Sequence, residues 1–295
     1  MQYLSNLIWG SSPSSVIINT SSAQSANSAE PLPLSLGLPN EIFKVIFSDV
    51  NFKELRNCSL VDKKWNQVTN DPMLVKKTIY EGFCFNPSHW NEFCGAGTVS
   101  HDEIAKAYAS LPKDILEILK NDYNGKKVID THMLVWIPET IKGKPLTIDT
   151  FGALLKEKQE FSNSATGYGY IPNSIIQQEG NKPIKCGWVL MTTDVIPGSR
   201  NKSFADQELL VESLNKNGQT GYRVPKMAEA IVCIAAEYLR SKKRLFSNDP
   251  STYTRCQENV QGFQIIVGYF KEYGLDVDKN HDDDDDIGVA ALREF

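Results

Sequence analysis

Apolar and polar positions divide the chain into three parts. The first 35 residues are rich in Ser, Asn, Ala and Pro and carry one charged side chain, that of Glu30. Such a segment buries too little apolar surface to offset the entropy lost on ordering, so residues 1–35 are predicted to be a disordered leader. Apolar residues then recur at helical spacing over residues 36–80, and a region of mixed pattern follows.

The third part combines helical and strand patterns. Its strongest helix signal is 224–243, where Pro225 lies in the first turn and a basic tail lies at the end. The apolar set of this helix is Met227, Ala230, Ile231, Ile234, Ala235, Tyr238 and Leu239. Further helices are predicted at 100–125, with a break at Pro112, and at 203–218. Strands are predicted at 127–137, 186–196, 263–270 and 287–295.

The irregular order of helices and strands predicts an α+β multi-domain protein. We expect a disordered leader at 1–35, an all-α module of three helices at 36–80, a connector at 81–98 and an α+β recognition domain at 99–295. The connector is rich in aromatic residues, and its Cys residues are expected to act as small apolar fillers.

The three short helices predicted in 36–80 expose more apolar surface than they can cover. After an Asn40 cap, Ile42, Val45 and Ile46 lie on one face, while Phe43 and Phe47 lie on a neighbouring face. A domain of about this size is marginal on its own without metals, disulfides or a partner. The second apolar face therefore predicts a surface that another protein covers.

The same segment resembles the F-box. The family pattern is Leu-Pro-x-Glu-Ile, then Ile-Phe, then an acidic-Leu pair, then Ser-Leu-Val-x-Lys-x-Trp, and one conservative departure is Val50, where Leu is commoner. The pattern is carried without a gap by Leu38, Pro39, Glu41, Ile42, Ile46, Phe47, Glu54, Leu55, Ser59, Leu60, Val61, Lys63 and Trp65.

The resemblance implies a binding module without catalysis of its own. F-box segments dock on the Skp-type adaptor of cullin-RING ubiquitin ligases, and the rest of the chain presents a protein substrate, which the sequence leaves unidentified. Apolar anchors in grooves are the physical basis of this kind of contact. The residues implied at the contact are Leu38, Pro39, Ile42, Val45, Ile46, Leu60, Val61 and Trp65. Ile46, Leu55 and Trp65 have an alternative role in the module's own core, and Trp65 is large enough to serve both.

The net charge and the distribution of cysteines narrow the expected classes of partner and the expected cellular compartment. The formal net charge of -5 disfavours a nucleic-acid partner, which needs a concentrated basic face. The longest apolar run, 230–236, is too short to span a bilayer, and no positive segment precedes Lys44, so no membrane or secretory role is expected. The six Cys residues are scattered without a CxxC motif, which favours a reducing, cytoplasmic compartment.

Two segments carry residues that metals bind. Cys84, His89, Cys94 and His101 are suitable zinc ligands, but their spacing lacks the two-residue knuckle that aligns such sets, so aromatic packing is favoured. In 276–287, His281 and Ile287 occupy positions where an EF-hand needs Gly and Glu. A solvated acidic loop is expected there, and calcium binding by Asp282 to Asp286 stays open.

No catalytic motif such as GxSxG, HExxH or a phosphate-binding Gly loop occurs, so neither enzymatic activity nor a cofactor is expected. The rival hypothesis is an enzyme or ligand-binding domain in the C-terminal region that the F-box directs to a ligase. It predicts a pocket in which Cys or His meets acids, whereas an adaptor predicts a polar surface without such a cluster.

One further resemblance covers part of the third region. Tyr222, Arg223, Pro225 and Glu229 are similar to a Tyr-Arg-Leu-Pro-x-x-x-Glu segment of formylglycine-generating-enzyme-like and C-type-lectin-like folds. The Trp that usually follows the Glu is Ala230 here, and no catalytic residue is carried over. The source also stays open, because F-box-like segments occur both in eukaryotes and in effectors that intracellular bacteria deliver into host cells.

Overall fold

A computed structural model describes residues 76–77, 79–157, 161–162, 164–216, 221–280 and 283–295. The predicted leader, almost all of the predicted three-helix module and the possible calcium ligand Asp282 lie outside these residues. The described residues belong to one compact unit and contain both helices and sheets. None of their helices combines the length and the apolar character needed to cross a bilayer.

The described chain opens with a π-helical turn, Ile79–Phe83. The α-helices that follow are α1 (Pro87–Cys94), α2 (His101–Ser110), α3 (Ile115–Lys120), α4 (Val128–Thr131), α5 (Ile148–Glu157), α6 (Asn173–Glu179), α7 (Phe204–Lys216) and α8 (Met227–Ser241).

The described strands form two four-stranded sheets and two short hairpins. The hairpins pair β1 (Asp122–Tyr123) with β2 (Lys126–Lys127) and β4 (Thr140–Ile141) with β5 (Lys144–Pro145). The central sheet has the order β3-β6-β12-β7, with β3 (His132–Ile137), β6 (Gly187–Thr192), β12 (Leu292–Glu294) and β7 (Tyr222–Arg223). The second sheet has the order β10-β9-β8-β11, with β10 (Gly274–Asn280), β9 (Phe263–Lys271), β8 (Tyr253–Val260) and β11 (Ile287–Gly288).

The central sheet is covered on both faces. All six residues of β3 are buried, and alternate residues belong to two different cores. Met133 and Val135 face the first core with α8, whereas Leu134 and Trp136 face the second core with Trp188. Because each face has its own cover, residues 133–137 are all apolar even though the strand pairs with an antiparallel neighbour.

Helix α8 lies between the two sheets. It contacts β3 on one side and β8 and β9 on the other. The seven residues of its predicted apolar stripe are buried, but so are Val232, Cys233 and Ala236 on the remaining sides. Apolar residues that are buried on several sides of a helix are typical of an interior position, so α8 is a central helix.

Most predicted elements are observed, with two corrections. The prediction of one strand at 127–137 is wrong at its start, where Val128–Thr131 forms the short helix α4. The prediction of one closing strand at 287–295 is also wrong. Its first part, β11, pairs with β8 in the second sheet, and β12 pairs with β6 and β7 in the central sheet. The chain crosses between sheets at 289–291, where the Val289 carbonyl accepts from the Ile196 N–H at 2.8 Å.

The segment predicted as a connector, 81–98, contributes to the cores. Phe85 forms a bridge to β3, and Trp90 and Cys94 pack in the first core with α8. Cys84 packs in the second core on the other face of the central sheet. Among the described residues, the predicted boundary at residue 99 therefore does not separate two hydrophobic cores.

Candidate functional site

The residues predicted to contact an adaptor lie outside the described part of the chain, so their contact stays a prediction. These residues are Leu38, Pro39, Ile42, Val45, Ile46, Leu60, Val61 and Trp65. The π-helical turn Ile79–Phe83 follows them and is anchored in the second core. Ile79 is fully buried, and the Tyr80 ring lies edge-on to the rings of Tyr108 and Trp188 at 5.0 and 6.0 Å.

A cleft of about 540 Å³ opens on the α+β part of the chain. Three stretches that are distant in sequence form its walls, 123–131, 192–200 and 243–252. They are the β1–β2 turn with α4, the turn after β6, and the segment between α8 and β8. A volume of this size lies within the range of ligand-binding pockets.

The segment 243–252 has a defined backbone conformation. Phe246 has a φ of 49°, which is rare for a bulky residue, and its side chain is buried. Its carbonyl accepts from the Phe270 N–H at 2.8 Å. The Arg200 guanidinium donates to the Ser251 carbonyl at 3.1 Å and to the Thr252 hydroxyl at 2.7 Å. These bonds hold this wall of the cleft to β9 and to the turn after β6.

The described part of the acidic run is bonded to its own protein. The Asp283 carboxylate accepts from the buried guanidinium of Arg255 at 3.3 Å, and the Asp286 carboxylate accepts from the Ser251 hydroxyl at 3.0 Å. The Asp284 carboxylate accepts from the Asn280 amide at 2.9 Å. These three carboxylates therefore have different partners and hold the loop to the second sheet. In the described ranges, no group of three or more His, Cys, Asp or Glu is arranged to hold a metal.

A buried polar cluster lies behind one wall of the cleft. His132 is 3% exposed, with Nδ1 2.9 Å from the Thr131 hydroxyl and Nε2 3.0 Å from the Tyr222 hydroxyl. The Thr131 hydroxyl donates to the Lys127 carbonyl, so it can accept from Nδ1–H, and Nε2 then accepts from Tyr222. The Tyr123 ring lies edge-on to His132 at 4.8 Å. Burial lowers the pKa of His132 from 6.5 to about 3 and raises that of Tyr123 to about 12.

This cluster predicts an acid-sensitive fold. Because the folded-state pKa of His132 is depressed, the unfolded chain binds the proton more readily, and stability present above pH 6.5 is lost as the pH falls toward 3. We expect a loss of about 2 kcal/mol in the free energy of unfolding between about pH 7.5 and about pH 5. The measurement is urea unfolding of the wild type and His132→Gln at each pH.

The difference in the free energy of unfolding between the wild type and His132→Gln isolates the contribution of His132 to the pH dependence. Burial raises the pKa of Asp276 to about 6, which acts in the opposite direction over part of the same range, but both proteins contain Asp276. Parallel stability curves for the wild type and His132→Gln would contradict the assignment of this pH dependence to His132.

The four candidate zinc ligands are not brought together. The Cys84 thiol donates to the Tyr80 carbonyl at 3.0 Å in the second core, whereas Cys94 lies in the first core. His89 accepts from the Asn86 N–H through Nδ1 at 3.1 Å, and its ring stacks on Phe85. His101 is exposed at the start of α2. The central sheet thus separates the two Cys residues, and aromatic packing accounts for His89.

The residues of the second resemblance join β7 to α8. Arg223 donates through both Nη atoms to the buried Glu229 carboxylate at 2.7 and 2.6 Å. Glu229 Oε2 also accepts from the Lys226 N–H at 2.8 Å, and Arg223 Nη2 lies 3.2 Å from Glu294. This network ties the first turn of α8 to two strands of the central sheet. The formylglycine-generating-enzyme-like or C-type-lectin-like fold stays a prediction.

Sequence reasoning missed the cleft. Lys243 belongs to the basic end of the predicted helix 224–243, which was interpreted only as favourable charge at a helix end, and Arg244 follows directly after it. No local pattern connects them with Lys126 or Thr193, because the cleft exists only after three separate stretches have folded together. The adjacent basic residues were the one available signal.

Comparison with known proteins assigns the segment that precedes most of the described residues. The family described as F-box-like matches residues 36–81. The match includes all eight residues predicted at the adaptor contact and ends inside the turn Ile79–Phe83, whose first two residues are buried. No curated protein and no solved structure matches the chain. An F-box-like domain indicates a general role as a ubiquitin ligase adaptor. The chain therefore carries an F-box-like domain at residues 36–81.

Proposed function

We propose that this protein is a substrate-recognition adaptor of a cullin-RING ubiquitin ligase. In this proposal, residues 36–80 dock on a Skp-type adaptor, the α+β region holds a protein substrate, and the chain catalyses no reaction itself. The match of the F-box-like family to 36–81 carries the proposal. The protein would act in the cytoplasm, which is the host cytoplasm if the chain is a bacterial effector.

The anchoring of the turn Ile79–Phe83 supports a direct link between adaptor docking and substrate binding. The F-box-like segment ends within this turn, and Tyr80 packs against Trp188 of β6. Asn86, at the start of α1, donates to the Tyr80 carbonyl from its buried side chain. A buried attachment of this kind holds the end of the segment against the central sheet, so a bound substrate would keep a defined position relative to the ligase.

The chemistry of the described cysteines supports an adaptor rather than an enzyme. Burial raises the thiol pKa of Cys84, Cys186, Cys233 and Cys256, which disfavours the reactive thiolate. The described residues that line the 540 Å³ cleft include neither Cys nor His. This cleft therefore does not match the pocket that the enzyme hypothesis predicts, in which Cys or His meets acids.

The test is co-purification of the full chain with a Skp-type adaptor. Leu38→Ala/Pro39→Ala is expected to weaken adaptor binding by about tenfold or more, because truncating buried apolar anchors removes a large share of interface energy. Binding is measured by calorimetry with the purified adaptor, alongside size-exclusion chromatography of the mixture.

The matched control is Leu209→Ala. Leu209 lies on α7, is 60% exposed and is outside the F-box-like segment, so this variant should bind the adaptor like the wild type. Equal binding by Leu38→Ala/Pro39→Ala would remove those two residues from the contact. Failure of the wild type to bind any Skp-type adaptor would overturn the docking proposal.

A further inference from the structure

The 540 Å³ cleft continues into a second cleft of about 370 Å³. Arg244 and Ser247 line both clefts, and the second one extends to the β9–β10 turn at Lys271 to Tyr273. The two clefts thus form one open trough over the segment between α8 and β8. Two adjoining clefts of about 540 and 370 Å³ provide more room than a single small ion needs.

The trough is cationic on a chain that is negative overall. Four cationic side chains and two acidic ones line the 540 Å³ cleft, whereas the formal net charge of the chain is -5. Arg200 is occupied by bonds to 251–252 and to the Asp285 carbonyl. Lys126 and Lys243 are exposed and form no ion pair with the described residues. A local excess of positive charge favours an anionic ligand.

Arg244 is held in position without an acidic partner in the described chain. Its guanidinium lies 5.0 Å from the ring centroid of Tyr238 and 5.4 Å from that of Phe270. Aromatic faces orient an arginine while leaving its terminal N–H groups available. Its Nε is buried and has no hydrogen-bond partner, and the Tyr123 hydroxyl in the opposite wall is also buried without one. The guanidinium therefore has no competing protein acceptor on Nε in the described chain.

We propose that this trough binds an acidic peptide segment of the protein substrate, with a peptide carboxylate on the Arg244 guanidinium. This inference rests on the proposed function, because it identifies the substrate chemistry of the α+β region. The planar guanidinium matches a carboxylate with two parallel hydrogen bonds, and Lys126 and Lys243 add longer-range attraction. Leu245, Phe246 and Val195 supply apolar wall for neighbouring peptide side chains. A long polyanion such as RNA is disfavoured by the negative charge of the whole chain.

The test uses the purified full chain and an array of short synthetic peptides. Each peptide rich in Asp and Glu is paired with a counterpart in which Asn and Gln replace the acids. The wild type is expected to prefer the acidic members, and Arg244→Gln should bind the best of them about tenfold or more weakly. Lys113→Gln removes an exposed cation outside the trough and should bind like the wild type.

A further double variant keeps the test decisive if Arg244→Gln does not fold. Lys126→Gln/Lys243→Gln changes only exposed side chains and should still lower acidic-peptide binding severalfold and reduce its salt dependence. Equal binding of acidic and amide peptides, or unchanged binding by both sets of variants, would overturn the inference. So would Arg244-dependent binding of a single-stranded RNA oligonucleotide in the absence of peptide binding.

Failure here is distinguishable from failure of the proposed function. The peptide array needs no adaptor, whereas the co-purification test needs no peptide. If the adaptor binds but the array has no acidic preference, only the peptide inference fails. If Arg244-dependent peptide binding is observed but no Skp-type adaptor binds, the ligase proposal fails and the trough remains a peptide site.

Discussion

Arg223→Met is expected to lower the free energy of unfolding by about 3–5 kcal/mol, because it leaves the Glu229 carboxylate buried without its partner. The Glu229 side chain is 4% exposed and the Arg223 side chain 27% exposed. Both Nη atoms of Arg223 donate to Glu229, at 2.7 and 2.6 Å. Methionine retains much of the apolar stem but none of the five N–H donors. The measurement is urea unfolding followed by circular dichroism at neutral pH.

The size of the loss depends on burial and not on the mere presence of an ion pair. Lys142→Met breaks an exposed pair with Glu157, whose atoms lie 2.6 Å apart while the side chains are 45% and 58% exposed. Such pairs contribute about 0–1 kcal/mol, so this control should stay close to the wild type. A similar small effect for Arg223→Met would contradict the structural role of the Arg223–Glu229 pair.

A double variant separates the loss of the Arg223–Glu229 attraction from the cost of a buried carboxylate without a partner. Arg223→Met/Glu229→Gln removes the carboxylate charge while an amide oxygen can still accept from the Lys226 N–H. We expect it to be more stable than Arg223→Met alone, because the uncompensated buried charge is gone. A double variant that is less stable than the single one would mean that Glu229 stabilises the fold mainly through its other contacts, with Lys226 and the start of α8.

The apolar elements of the fold were predictable, because burial imposes a period on the sequence. The stripe from Met227 to Leu239 predicted α8, and the apolar runs at 127–137 and 186–196 predicted β3 and β6. The coverage of α8 on its other sides was not predictable in the same way. It depends on the second sheet, whose strands β8 and β10 carry many polar residues.

The second sheet illustrates why polar strands are missed. In β8, Arg255 is 2% exposed and its partner, Asp283, lies 28 residues further along the chain. In β10, Leu275 and Val277 are buried and alternate with Asp276, which is a strand period, but the acidic residues led to the prediction of a solvated loop. A charged residue that is buried in a strand is easily predicted as part of a loop from a single sequence, because the residue that neutralises it is brought close only by the fold.

The candidate trough was even harder to predict from the sequence than the polar strands. Arg244 owes its position to Tyr238 in α8 and Phe270 in β9, and it faces a wall that comes from 123–131. No spacing rule connects these stretches. The F-box-like segment, in contrast, is a contiguous pattern of apolar and polar residues, so it was identified from sequence and then confirmed by the family match at 36–81.

Trp90→Ala is expected to destabilise the protein by about 3–5 kcal/mol. Trp90 is fully buried, its ring lies 4.7 Å from Phe85 and 5.9 Å from Phe151, and its Nε1–H donates to the Trp136 carbonyl at 2.9 Å. Alanine leaves a cavity and removes the donor to a buried carbonyl. Urea unfolding followed by circular dichroism is the suitable measurement, because removing a tryptophan changes the fluorescence signal itself.

This variant also tests whether the segment 81–98 is part of the folded unit or a passive connector. Tyr170→Ala is the control, since Tyr170 is 52% exposed and its truncation should cost less than about 1 kcal/mol. A loss below about 1 kcal/mol for Trp90→Ala would mean that 81–98 contributes little to the core. A large loss would instead mean that the chain following the F-box-like segment is held by the same core as α8. The proposed adaptor-docking and substrate-binding parts would then be joined through a packed interior and not through a flexible tether.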